Sequence, residues 1–222
     1  MPQLIIIGGG PRYTYNGAAT TQTSSASFSF TSQALGDAAP DRFVVVVIEV
    51  FTSGTNFAVT AVDIAGSTAS EIVTRDDSGG IQKVHTAMWG ATVASGTGGT
   101  IAVTFAGSVS RCKIANYALY GLSSTTAAHT ANDGGGSGDT SASVTIDVPA
   151  AGILLSSAAY VNSADVQTLS GVTVDDSFTE ATVIQFTWGS RQASSPEVGA
   201  SITWSGTAAA GSARSLVAAS WS

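Results

Sequence analysis

Two acidic pairs are the sharpest chemical signal in the chain, Asp76-Asp77 and Asp175-Asp176, each followed by a serine, Ser78 and Ser177. Paired carboxylates on a loop supply the oxygen ligands that calcium takes, roughly six to eight at a time. They could also be the acid pair of a glycosidase, whose two carboxyl groups flank the scissile bond. A third reading needs no ligand. Asp-Asp-Ser can end a strand, with its carboxylates accepting from backbone amides in the following turn. The turn is preferred, because turns recur with a fold and this motif occurs twice. Calcium at Asp76, Asp77, Asp175 and Asp176 comes second. Catalysis comes last, since neither a further ligand set nor a tuned acid is visible.

The other chemistry-bearing residues are sparse. There are two histidines, His85 and His129. Neither has Cys, Asp or Glu nearby at zinc-ligand spacing. Cys112 is the single cysteine, which excludes an intrachain disulfide. It lies in an apolar strand, Cys112 to Tyr117, and reads as a buried inert thiol. No G-x-S-x-G elbow is present. Gly8-Gly9-Gly10-Pro11 lacks the G-x-G-x-x-G spacing of a phosphate loop, and the Pro and Tyr that follow do not open a helix. The expectation is a protein without cofactor and without enzymatic activity.

The elements that must carry these residues repeat. Val73 to Ser78 reappears as Val172 to Ser177, 99 residues later. At the same offset Trp89-Gly90 matches Trp188-Gly189, Thr104 matches Thr203, and Phe105 faces Trp204. Trp and Asp-Asp are scarce here, so chance is a poor explanation, and a repeat decides architecture before any motif does. With small shifts Ala26 to Phe30 resembles Ala142 to Ile146, Phe43 to Ile48 resembles Ile153 to Leu155, and Lys113 to Tyr120 resembles Arg214 to Trp221. His85 aligns with Ile184, which marks a packing position. Trp89, Trp188 and Trp204 fall on repeated framework positions and are expected in the core.

Composition narrows the class. The chain has 222 residues, 44% hydrophobic and only 10% charged, with a formal net charge of −7. The eight Lys and Arg never cluster, so no phosphate-tracking stripe exists and nucleic-acid binding is disfavoured. The longest strongly apolar run, Phe43 to Ile48, is far below the roughly 18 residues of a membrane helix. Leu4-Ile5-Ile6-Ile7 is too short for a signal-peptide core, so the protein is expected to be made in the cytoplasm without export.

Period-2 alternation and β-branched residues dominate, with turn signals between runs and no helical periodicity. Arg42 to Thr52 is almost unbroken in its apolarity, so both its faces should be buried. About a dozen strands at this spacing predict an all-β, antiparallel, jelly-roll-like sandwich built from two internal repeats. Repeat one covers 26–122, a polar Gly/Ser-rich connector covers 123–141, and repeat two covers 142–222. Either each repeat is a small sandwich, or both supply strands to one. The second repeat alone would have a thin core, so a single sandwich over 25–222 is preferred.

Asp41-Arg42-Phe43-Val44-Val45-Val46, the stretch from Trp89 through Thr100 to Phe105, and Arg111 to Leu122 resemble a group of tailed-bacteriophage proteins. The resemblance covers most of residues 26–222 and is carried by framework strands. It implies a virion structural component, such as a capsid decoration, cement or head/tail fibre-type subunit, with other virion proteins and sister copies as partners. It transfers no catalytic residue. A carbohydrate-binding module or adhesin is the alternative, with a host-surface glycan as partner. Fold alone does not separate the two. Residues 1–24 fall outside the repeat and read as an arm, an apolar peg (Leu4, Ile5, Ile6, Ile7) on a Gly/Pro stem. Such a tetrad could add a strand to a neighbour's sheet edge.

Overall fold

The computed structural model describes residues 10–52, 57–77, 83–135, 141–161, 168–180, 184–206 and 213–222. Among them there is no helix. The first half forms β1 (Arg12–Thr21), β2 (Ser25–Ala34), β3 (Phe43–Thr52), β4 (Val59–Ile64), β5 (Ser67–Thr68), β6 (Ser70–Asp77), β7 (Lys83–Thr92), β8 (Gly98–Val109) and β9 (Arg111–Tyr120). The second half forms β10 (His129–Gly135), β11 (Ser141–Val148), β12 (Ile153–Val161), β13 (Thr168–Ser170), β14 (Thr173–Glu180), β15 (Ile184–Gln192), β16 (Glu197–Ser205) and β17 (Arg214–Trp221).

Each half builds its own two sheets. The first has a five-stranded sheet in the order β1-β9-β3-β7-β6 and a four-stranded sheet β2-β8-β4-β5. The second has a five-stranded sheet β10-β17-β12-β15-β14 and a three-stranded sheet β11-β16-β13. The halves meet through their five-stranded sheets, with β6 and β7 against β17, and β12 against β7 and β3. The layers therefore run outer, inner, inner, outer. The single sandwich expected over 25–222 is replaced by two, fused face to face. The physical reason is the thin second core: its inner sheet buries its other face on the first half.

Side-chain alternation in β3 shows how this arises. Val44, Val46, Ile48 and Val50 pack into the first sandwich with Phe28, Phe105 and Trp89. Phe43, Val45 and Val47 point the other way, into a middle apolar layer with Leu155, Phe186, Trp188 and Trp221. Burial on both faces is what an unbroken apolar strand requires, and each fully buried Val or Ile contributes on the order of 1.5–3 kcal/mol. In β12, Ile153 and Leu155 face the middle layer, while Leu154, Ala158 and Tyr160 face the second sandwich with Ile202 and Trp204.

Two predicted irregular segments are strands. Residues 12–21 of the expected arm form β1, paired with β9 from Arg12↔Tyr120 to Thr21↔Cys112. Gly17 sits at a bulge with φ 112°, a backbone region that favours glycine. Tyr13, Tyr15 and Ala18 pack on the middle layer, so the residues read as a stem close the sheet edge. In the expected connector, residues 129–135 form β10 against β17. An edge strand can be held by backbone hydrogen bonds with few apolar side chains, which is why composition alone missed both. The tetrad Leu4, Ile5, Ile6 and Ile7 lies outside the described residues.

Candidate functional site

The acidic pairs do not occupy equivalent places. Across the β6–β7 hairpin Trp89 faces Glu71, whereas across β14–β15 Trp188 faces Asp176. Had the offset of 99 held, Trp188 would face Ser170. Asp76 and Asp77 therefore end β6 beside the start of β7, while Asp175 and Asp176 sit early in β14, at a register shift between Val174 and Asp176. The expected pair of matching turns is corrected here. The hairpins pair in different registers, so a matching sequence lands at different heights on the strand.

All four carboxylates meet donors from the protein itself. Asp77, 8% exposed, accepts the backbone N–H of Arg214 at 2.7 Å. Asp76 accepts from Nδ1–H of His85. That hydrogen bond outweighs the opposing effect of partial burial and holds the Asp76 carboxyl below its ordinary range. Asp175 accepts from Tyr117 Oη at 2.8 Å, and Asp176 accepts from Tyr15 Oη at 3.2 Å and from the Ser177 N–H at 2.8 Å. Three of these links, those of Asp77, Asp175 and Asp176, join the two halves. Among the described residues no group of three or more His, Cys, Asp and Glu gathers at metal-binding distance.

The seam between the inner sheets is thus the place where the chain concentrates its polar chemistry. Tyr15 is central to one edge: Trp188 Nε1–H donates to its hydroxyl at 3.1 Å, and its ring lies 5.3 Å from that of Tyr117. Burial, opposed by the Trp188 hydrogen bond and helped by Asp176, pushes the Tyr15 hydroxyl up to about 12. Burial and the charge of Asp175 likewise push Tyr117 up. The Lys113 ammonium lies 3.9 Å from the Phe178 ring centre and 4.3 Å from that of Trp188, a cation–π arrangement across the seam. Burial lowers Lys113 to about 8, against the opposing pull of Glu49 and Asp176.

Glu49 and its partners were not singled out from sequence. Its carboxyl is fully buried and accepts from Ser157 Oγ at 2.5 Å, across the seam. Among the described residues no side-chain donor reaches its other oxygen. Burial raises its pKa well above the usual carboxylate range, opposed by Ser157, Lys113 and the Thr187 backbone amide. The signal was present: Glu49 is the one carboxylate in the apolar run Phe43 to Thr52. Beside it, Thr86 Oγ1 and Ser215 Oγ make a further cross-seam contact at 2.5 Å.

The remaining candidates are structural. His85 is 2% exposed and packs edge-on against Phe57, with ring centres 6.2 Å apart. No serine or cysteine bonds to its Nε2 among the described residues. Cys112 is buried, and burial raises its thiol. Arg42, fully buried, donates to three carbonyls, those of Val93, Gly36 and Ser95 at 2.6, 2.8 and 2.8 Å, and so staples two loops to the sheet. All four tryptophans are buried, and the exposed large apolar side chains among the described residues are Val174 and Val198. Among the described residues no exposed tryptophan offers a platform for a sugar. A cleft of about 540 Å³ opens at one end of the seam, lined by Phe43, Glu71, Thr92, Thr126 and Thr130 among others.

No family model matches the chain, and no curated protein matches it.

Proposed function

We propose that the chain is a non-enzymatic structural subunit of a tailed-phage virion, of the capsid decoration, cement or head/tail fibre type. One observation carries this reading. Three of the four carboxylates that offered chemistry in the sequence, joined by Glu49 and Lys113, fasten two sandwiches into a single four-layer body. Asp77, Asp175, Asp176, Glu49 and Lys113 face partners on the opposite half, so their charge and hydrogen-bonding capacity serve rigidity. The resemblance of the framework strands to phage proteins supplies the setting. The protein would be made in the host cytoplasm and carried in the virion.

The two halves are proposed to be jelly-roll-like repeats of one unit. Setting aside the short β5, each inner sheet runs first–eighth–third–sixth–fifth in chain order, and each outer sheet second–seventh–fourth. That is a jelly-roll order with the fifth strand moved to the neighbouring sheet. The apolar tetrad Leu4, Ile5, Ile6 and Ile7 is proposed to dock onto another virion subunit or a sister copy by strand addition.

Sedimentation through a density gradient tests the reading. The protein should band with intact particles after extensive washing. Recovery only at the top of the gradient would refute it. The adhesin alternative predicts binding to a host-surface glycan with a change in tryptophan emission, and the buried placement of all four tryptophans favours the structural reading over it.

A further inference from the structure

Five polar residues stand in line across the first inner sheet, Thr20 on β1, Lys113 on β9, Glu49 on β3, Thr86 on β7 and Arg75 on β6, and Arg75 donates to the Gly134 carbonyl of the second half at 3.2 Å. Glu49 on β3 lies directly across from Thr86 on β7 and from Lys113 on β9. On one side the next residues along those strands on the same face are apolar, Val47, Met88 and Ala115; on the other they are Phe51, Val84 and Arg111, whose guanidinium lies 5.6 Å from the Phe51 ring centre. The row meets Ser157 and Ser215 and the rings of Phe178 and Trp188, all from the second half. A polar row in an apolar layer fixes the register in which two faces dock.

We propose that this row is a pH-responsive latch between the two sandwiches, closed while Glu49 carries its proton and loosened as base removes it. The protonated carboxyl needs little solvation and keeps its contact with Ser157. An ionised one, 1% exposed and reached only by Ser157 and the Thr187 backbone amide, would need water that only an opened seam admits.

The groups facing Glu49 set the pH window. On β9 these are Lys113 and Tyr117; Cys112, on the opposite face of that strand, also feels its charge. Asp176 of β14 faces Lys113, and Asp175 and Tyr15 complete that edge. At the level of Glu49, β7, β12 and β17 present the uncharged Thr86, Ser157 and Ser215, β15 presents the Thr187 backbone N–H, and the charged Arg75 of β6 and Arg111 of β9 stand on the same face, one beyond Thr86 and the other beside Phe51. Burial holds Glu49 above its ordinary 4.5, so the closed form keeps a proton that the opened form releases. Opening is therefore favoured as pH rises above 4.5, by up to about tenfold per unit while the closed form stays protonated. Lys113 acts with the opposite sign between about 8 and 10.5. The clean window is thus pH 5 to 8.

Thiol labelling of the full chain reads the opening. Ala115→Cys places a thiol on the seam face of β9, and Cys112 on the other face of the same strand is the internal control. After correction for thiolate fraction, labelling at position 115 should accelerate by up to about tenfold per pH unit, with Cys112 unchanged. Glu49→Gln should flatten the slope. Lys113→Met, which leaves Glu49 in place, should retain it. The proposal is overturned if position 115 shows no slope, if Cys112 accelerates in parallel, if Glu49→Gln keeps the slope, or if Lys113→Met abolishes it.

Discussion

Asp77 and Arg214 meet across the seam: the Asp77 carboxylate accepts the Arg214 backbone N–H at 2.7 Å, joining the end of β6 to the start of β17. Asp77→Ala leaves that buried amide without its acceptor, at a cost of about 1–3 kcal/mol. Asp77→Asn keeps an oxygen in place and should cost less. Chemical denaturation should rank the three proteins in that order. Equal stability of Asp77→Ala and wild type would show that the link holds nothing.

Gly90 makes room for Phe43. A Cβ at position 90 would fall 2.3 Å from Phe43 Cζ, far inside contact distance. Gly90→Ala should therefore destabilise by about 1–3 kcal/mol through overpacking. Shortening the ring in Gly90→Ala/Phe43→Leu should recover part of that loss. Additive losses in the double variant would mean that the two sites do not touch.

How much of this was legible in the sequence depends on what each element uses to hold itself. Burial of β3 on both faces followed from its apolar run. The all-β class also followed, from the period-2 alternation and the absence of helical periodicity. β1 and β10 were missed because edge strands are held largely by backbone pairing, which leaves little mark on composition. The Asp-Asp motif misled because pairing register, not sequence likeness, sets height in a hairpin. Glu49 was visible as a lone carboxylate in an apolar strand. Its partner Ser157 was not, since it lies 108 residues away on the facing sheet.

The Asp76–His85 pair gives a pH-dependent contribution. His85 holds the Asp76 carboxyl below its ordinary 3.8, so the pair stabilises the fold above that value. The contribution is lost as pH falls through the lowered folded value. Asp76→Asn should be less stable than wild type near pH 7, and the gap should close toward pH 2–3 (an approximate range set by ordinary carboxylate titration). Because Asp76 is half exposed, the gap should be small and should shrink with salt. Thermal melts across pH with both proteins check it. A gap that stays constant down to the acid limit would contradict the assignment.

The apolar tetrad is tested without disturbing β1. Deleting residues 1–9 removes Leu4, Ile5, Ile6 and Ile7 and leaves the β1–β9 pairing whole. The truncated protein should melt at the same temperature as the full chain, yet fail to join particles or sister copies. Normal assembly by the truncated protein would show that the anchor lies elsewhere.

Quantitative mass spectrometry of gradient-purified virions tests the virion reading most directly. The account predicts that the chain is present at a fixed ratio to the major capsid protein, in many copies per particle, across independent preparations. Its absence from purified particles, or trace amounts that vary with host contaminants, would contradict it.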